Sequence, residues 1–173
     1  MPPKPPTGRA TVPLAEIIDD VMAFVADIVY CTVTTVDPRG RPRSRVMHPI
    51  FERVDDGLIG WALTGRSPVK TRHLAHNPHV SCSYWSPAQN TVAIDCVATW
   101  VDEADDVTRG HVWSVFTDTP APLGWGELTA YEPEGIHHRL FQPLRLEPWR
   151  IQVLRAEQLA AGDVRPRVWR VEA

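Results

Sequence analysis

Cysteine is scarce in this chain. Cys31, Cys82 and Cys96 are three among 173 residues, far apart and odd in number. That excludes a disulfide framework, and their apolar, strand-like surroundings are how a reduced cytosolic protein uses cysteine, as a small hydrophobe. Long hydrophobic runs are missing too: none approaches the ~20 residues a membrane helix needs. Charge of one sign is not in excess either. The formal net charge is −3, which gives no electrostatic ground for non-specific nucleic-acid binding. The opening MPPKPPTGRA lacks the apolar stretch of a signal peptide. We therefore expect a cytoplasmic protein with a flexible, proline-rich leader over residues 1–13. One domain follows over residues 14–173.

Most familiar catalytic signatures are absent as well. There is no P-loop, no Cys-x-x-Cys, no His-Glu-x-x-His and no Gly-x-Ser-x-Gly. Gly124-Trp125-Gly126 lacks the third glycine and the strand-then-helix setting of a dinucleotide fingerprint. His73, His76 and His79 have no carboxylate or thiolate beside them, and Pro78 stops the helix before the third. They read as solvated histidines on a short exposed helix, with no metal site. His137-His138 makes a weaker case still.

What is present is 43% hydrophobic and 23% charged residues, the profile of a globular domain. Residues 14–26 place Leu14, Ile17, Ile18, Val21, Met22 and Val25 on one helical stripe. Strands follow at 28–37, 42–55 and 58–64, joined by turns at Asp37–Gly40 and Asp55–Gly57, so three of them read as a meander. Ser67 then caps a short helix that opens on Pro68 and stops at Asn77-Pro78. Further strands are expected at 80–85 and 91–102, a helix over 103–117 with Val107, Val112, Trp113 and Phe116 roughly in register, and loop-like chain over 118–143. Two last strands are expected around Gly162-Asp163. About six or seven antiparallel strands with a few helices is an α+β, mainly β, fold, and such a sheet commonly closes into a barrel.

Two clusters carry chemistry. Lys70 falls in the first turn of the helix capped by Ser67, where the macrodipole favours acids, yet that turn and its approach carry Arg66, Lys70 and Arg72. An anion such as phosphate among them satisfies both the free backbone N–H groups and the cations. Arg39, Arg41, Arg43 and Arg45 are spaced by two, so if the second strand extends that far they share one face, which also carries Met47, Pro49 and Phe51. Arg45 stands at the rim of the core, placed to grip a phosphate with two donors. The outer arginines read as a solvated hairpin tip.

The hairpin TVTTVDPRGRPRSRVMHP, a strand ending in Thr64 and the stretch SPVKTRHLAHNPHVSCSYW together resemble the pyridoxamine 5′-phosphate oxidase-like, flavin-binding split-barrel family. The likeness covers residues 28–102. It implies a split β-barrel, FMN as cofactor, and a homodimer with the cofactor site at the subunit interface. It also implies that Arg45 and Lys70 hold the cofactor phosphate, with Arg66 and Ser67 beside it. Val46 and Met47 then run along the flavin ring, and Leu63 and Thr64 contact the ring or ribityl chain. The chain departs from the family in three places. Pro68-Val69 replaces the usual Ser-Arg before the lysine, and Cys96 stands where the fifth strand usually has glycine. The Arg-x-His ending that grips pyridoxamine 5′-phosphate is missing from PRVWRVEA. The resemblance therefore implies a flavin-dependent oxidoreductase acting on a small molecule other than pyridoxamine 5′-phosphate. A branch that resembles this chain near KTRHL uses a deazaflavin coenzyme, whose acidic tail the cluster Arg39–Arg43 could meet. A flavin- or haem-binding protein without turnover is the other alternative. Of the seven tryptophans, Trp149 and Trp169 are the expected neighbours of a flavin, and most of the rest are expected in core or dimer contacts.

Overall fold

Helix α1 (Ile18–Ile28) is entered through a 3₁₀ turn at Leu14–Glu16. Ile17, Val21 and Val25, four residues apart, are each at most 1% exposed. They form the apolar stripe the sequence predicts. The helix runs on to Ile28 and stops where Val29 adopts φ 65°, so the first strand begins later than expected. The computed structural model describes residues 11–55 and 57–171. The expected leader lies largely outside these, but Val12 N–H donates to Val168 O at 2.8 Å and ties its end to the last strand.

The strands are β1 (Cys31–Val36), β2 (Pro42–Met47), β3 (Ile50–Val54), β4 (Gly57–Leu63), β5 (His79–Trp85), β6 (Thr91–Trp100), β7 (Pro143–Leu154) and β8 (Arg167–Arg170). Helix α2 (Pro68–His76) follows β4, α3 (Asp106–Asp118) follows β6, and α4 (Ala156–Ala160) follows β7. All strand pairs are antiparallel, in the order β2-β1-β5-β6-β7-β4-β3, with β8 added on β7. Beyond β4's partner residues Pro143–Leu146, the same edge of β7 pairs with β8 over Arg150–Val153.

The sheet thus has eight strands among the described residues, against the six or seven expected. The difference arises at His48-Pro49. The single return strand expected over 42–55 is two strands, because Pro49 has no N–H to continue a ladder. Nor do the first three strands form a meander: β2 pairs with β1, β3 pairs with β4, and the two are opposite ends of the ladder. Two residues, His48 and Pro49, join those ends, so the sheet must curl almost full circle while staying open between them. That is a split barrel.

One core fills the barrel, where α1 packs against the inward residues of β1, β5, β6 and β7, including Val33, Cys82, Ile94 and Leu146. A second lies between α3, the 123–141 segment and the β3–β4 edge, with Trp61, Val112, Phe116 and Phe141. Inside α3 the expected apolar stripe holds at Val112 and Phe116 and fails at Val107, and Arg109 joins it. Val107 is 86% exposed, and Arg109, Val112 and Phe116 are buried. The chain after Leu154 is helix, not strand, since AEQLA is built of strong helix formers.

Gly60 sits opposite Phe51, and a Cβ there would come within 2.5 Å of the Phe51 ring. The ring is buried in a full core, so Gly60→Ala is expected to destabilise the fold by about 1–3 kcal/mol. Urea unfolding of the variant measures this; an unchanged midpoint would show that the ring has room to move.

Candidate functional site

Ser67 caps α2, its Oγ accepting from Lys70 N–H at 3.3 Å with Pro68 in the first turn. This places Lys70 facing the barrel, and despite its charge it is only 6% exposed. Its ammonium donates to Thr64 Oγ1 and, at 2.9 Å, to Gly65 O. Thr64 and Lys70, both implied as site residues by the resemblance, are therefore in direct contact.

Arg45 comes from β2, opposite Val33. Its Nη2 donates to Thr35 Oγ1 at 2.9 Å, and the same oxygen lies 2.9 Å from His73 Nδ1. Arginine can only donate, so Thr35 accepts there and has its own proton to give to Nδ1. His73 is 1% exposed, which corrects the expectation of a solvated histidine: it shares the inner face of α2 with Lys70 and Leu74. The i, i+3 spacing of Lys70 and His73 was the available signal.

Two cations thus meet in a partly buried place. Among the described residues no carboxylate pairs with either. Burial, with the Arg45 charge adding to it, brings the Lys70 ammonium down to about 8. Burial, then the Arg43 charge, lowers Arg45 as well. Arg45 Nη1 is buried with no partner. A buried cation pair with an orphaned donor is what a phosphate would complete, because an anion there satisfies the guanidinium and offsets both desolvated charges. The residues present fit a phosphate-bearing cofactor.

Trp100 is the residue sequence reasoning missed. The Arg66 guanidinium stacks on its ring at 5.0 Å and the Lys70 ammonium lies 5.9 Å from its centroid. Trp149 and Trp169, expected near a cofactor, lie elsewhere: Trp149 packs on His79 and Trp169 stands in β8 opposite Ile151. Of the other site residues, Met47 is buried in the barrel, whereas Val46 points to the outer face, 71% exposed. Leu63 is half-buried at the end of β4. Arg66 donates to Val101 O at 3.0 Å and lies 3.7 Å from Glu103. The expected alternating face of arginines stops at Pro42. Arg39 and Arg41 lie in the β1–β2 turn, where their backbone N–H groups and the Arg41 guanidinium bind Asp37, holding its carboxyl well below the usual range.

A phosphate needs the Lys70 ammonium charged, and the unliganded lysine loses its proton near pH 8. Affinity for a phosphate ligand is expected to be full well below pH 8 and to fall as pH rises through it. The unliganded fold shifts the other way. Between pH 8 and 10.5 the unfolded lysine holds a proton the folded one has shed, so this group makes stability rise with pH there. Affinity and melting temperature measured over that range check both signs.

A sequence model described as pyridoxamine 5′-phosphate oxidase matches residues 17–132, a span that contains α1 to α3 and the whole cation cluster. The chain belongs to that family. Solved structures agree on the fold. A Clostridium acetobutylicum protein related to general stress protein 26, of the pyridoxinephosphate oxidase family, superposes with TM-score 0.64 at 13% identity, over 90% of this chain and 95% of that one. A pyridoxamine 5′-phosphate oxidase-related, FMN-binding protein of Nostoc punctiforme gives TM-score 0.58 at 17% identity, over 87% of each chain. A haem storage protein of Vibrio cholerae gives 0.53 at 20% identity, over 75% and 88%. Among curated proteins, no relative matches. No helix among the described residues is long and apolar enough to cross a membrane.

Proposed function

We propose that this oxidase-like protein binds FMN and is a flavin-dependent oxidoreductase for a small molecule other than pyridoxamine 5′-phosphate. The observation that carries the reading is the pair Arg45 and Lys70, desolvated, without an acid, and with Arg45 Nη1 orphaned. Bound flavin supplies hydride or electron transfer. The chain's own residues do the rest. Lys70 and Arg45 hold the phosphate, Ser67 keeps α2 in register beneath it, and His73 fixes Thr35, which fixes Arg45.

The site is also proposed to be shared between two copies of the chain. The outer sheet face sets Val46, Thr32, Ser83 and Ala93 in one row across four strands, with Val46 71% and Trp85 57% exposed. Small side chains around exposed apolar ones make a flat face suited to a second copy. Sedimentation of the flavin-loaded protein as a stable 19.4 kDa species would refute the dimer.

Titration with FMN and with riboflavin, which lacks the phosphate, tests the cofactor assignment. FMN is expected to bind at least tenfold more tightly; equal binding removes the phosphate site, and a Soret band with haem but no flavin binding supports the haem reading. Pyridoxamine 5′-phosphate is expected not to turn over. Its own phosphate needs a second anion grip, and residues 164–173 hold no histidine to provide it. A kcat in the ordinary ~1–1000 s⁻¹ enzyme range with that substrate would overturn this.

A further inference from the structure

Helix α3 buries an arginine in line with Val112 and Phe116, a position that ordinarily carries an aliphatic side chain. Arg109 is 2% exposed. Its Nε donates to Ile136 O at 3.0 Å, its Nη2 to Ile136 O and, at 2.9 Å, to Phe141 O, and the guanidinium lies 5.3 Å from the Phe141 ring centroid. These bonds staple residues 136–141 to α3, but every partner is neutral. Among the described residues no carboxylate forms an ion pair with Arg109, and its Nη1 is buried and bonded to nothing.

Gln142 carries the complementary defect. Its Nε2 donates to Arg139 O at 3.0 Å and lies 3.5 Å from Glu103 Oε1, while its Oε1 is buried without a donor. Arg109 and Gln142 line one hollow of about 320 Å³ together with Glu103, His137, His138 and Arg139. An unpaired buried guanidinium is costly, and so is an unpaired buried carbonyl. A ligand that meets both must present an anionic oxygen and a donor.

We propose that this hollow binds a small monocarboxylate bearing a hydroxyl or N–H group, its carboxylate on Arg109 and its donor on Gln142 Oε1. Glu103 sets the charge limit. It is drawn to Arg66 at 3.7 Å but leaves one negative charge in the lining, which disfavours a dianion such as phosphate. Exposed His137 and Arg139 form the rim, with Asp106 3.7 Å from His137. The hollow is distinct from the cation cluster, though the backbone links them: Thr64 N–H donates to Gln142 O at 3.4 Å. The inference does not depend on a flavin.

Glycolate, titrated into cofactor-free ¹⁵N-labelled protein, is the probe. The Arg109 Nε–Hε and Gln142 side-chain amide signals are expected to shift saturably with Kd in the millimolar range. Acetate and inorganic phosphate are expected to bind at least threefold more weakly. Gln142→Leu should bring glycolate down to the level of acetate, and Arg139→Ala should weaken both without unfolding the chain. FMN binding should be unchanged in Gln142→Leu, which separates this site from the cofactor site. Absence of saturable shifts at these two side chains overturns the proposal, as does a Gln142→Leu variant that binds glycolate like the parent.

Discussion

Lys70→Met is expected to weaken FMN binding by tenfold to a hundredfold and, in the cofactor-free protein, to raise the melting temperature. The first effect follows from removing a charged donor to the phosphate. Hydrogen bonds to charged groups are worth ~1.5–3 kcal/mol, and each 1.4 kcal/mol is about tenfold in affinity. The second follows from where the ammonium sits. Lys70 is 6% exposed, faces Arg45 and no acid, and its proton affinity has dropped to about 8. Methionine has nearly the same length, suits the buried stem and carries no charge to desolvate. The groups Lys70 leaves behind are easily rehydrated, since Thr64 is half-exposed and Gly65 exposed. Arg45→Ala should weaken FMN to a similar degree with less change in stability, because Thr35 keeps its bond to His73. Arg39→Ala, in the β1–β2 turn, is the control. Flavin fluorescence titration and thermal melts of the four proteins decide the matter. A Lys70→Met protein that binds FMN like the parent places the phosphate elsewhere. One that melts lower than the parent shows that Lys70 serves the fold instead.

The two halves of this site differ in how openly the sequence shows them. Ser67, Pro68 and Lys70 lie within one helical turn, so capping chemistry alone places the lysine, and the structure agrees to the residue. Arg45 is legible because strand alternation puts it on the face of buried Met47. Trp100, Thr35 and His73 are not, since each reaches the cluster by a pairing between elements that local pattern does not encode. Thr35 looks like any β-branched strand residue until β1 and α2 are packed together. The same limit explains the strand count. Pro49 is visible as a break in the 42–55 run, but whether the chain resumes beside β2 or across the barrel depends on β4, β6 and β7. Arg109 is a third case. Sequence periodicity assigns the stripe of α3 to apolar residues, so it chooses Val107, which the structure leaves in solvent.

One tryptophan packs against the seam of the split barrel, and a glycine decides whether it gets there. Trp125 Nε1 donates to His48 Nδ1 at 2.8 Å, directly at the seam between β2 and β3. Its ring packs on Phe116 at 4.9 Å and on His48 at 5.6 Å, and its backbone N–H reaches Phe116 O at 2.8 Å. Burial lowers the proton affinity of His48, in keeping with the neutral ring that Nδ1 must present to accept this bond. To bring Trp125 here the chain folds back after α3 with Gly124 N–H on Pro120 O at 3.0 Å. A Cβ on Gly124 would lie 1.7 Å from Thr119 O and 2.6 Å from Thr119 C. Those are backbone atoms and no rotamer change relieves them, so the turn itself must open. Gly124→Ala is therefore expected to cost about 3 kcal/mol, the top of the usual range for overpacking. It should also release Trp125 from His48, with a red-shifted tryptophan emission and a loss of near-ultraviolet dichroism. Gly126→Ala is the comparison: nothing lies within 4 Å of its Cβ, and only its φ of 63° is unfavourable, which costs about 1–2 kcal/mol. If urea unfolding places Gly124→Ala within about 0.5 kcal/mol of the parent, the ordinary span of a neutral surface change, the turn is not what holds Trp125 over the seam.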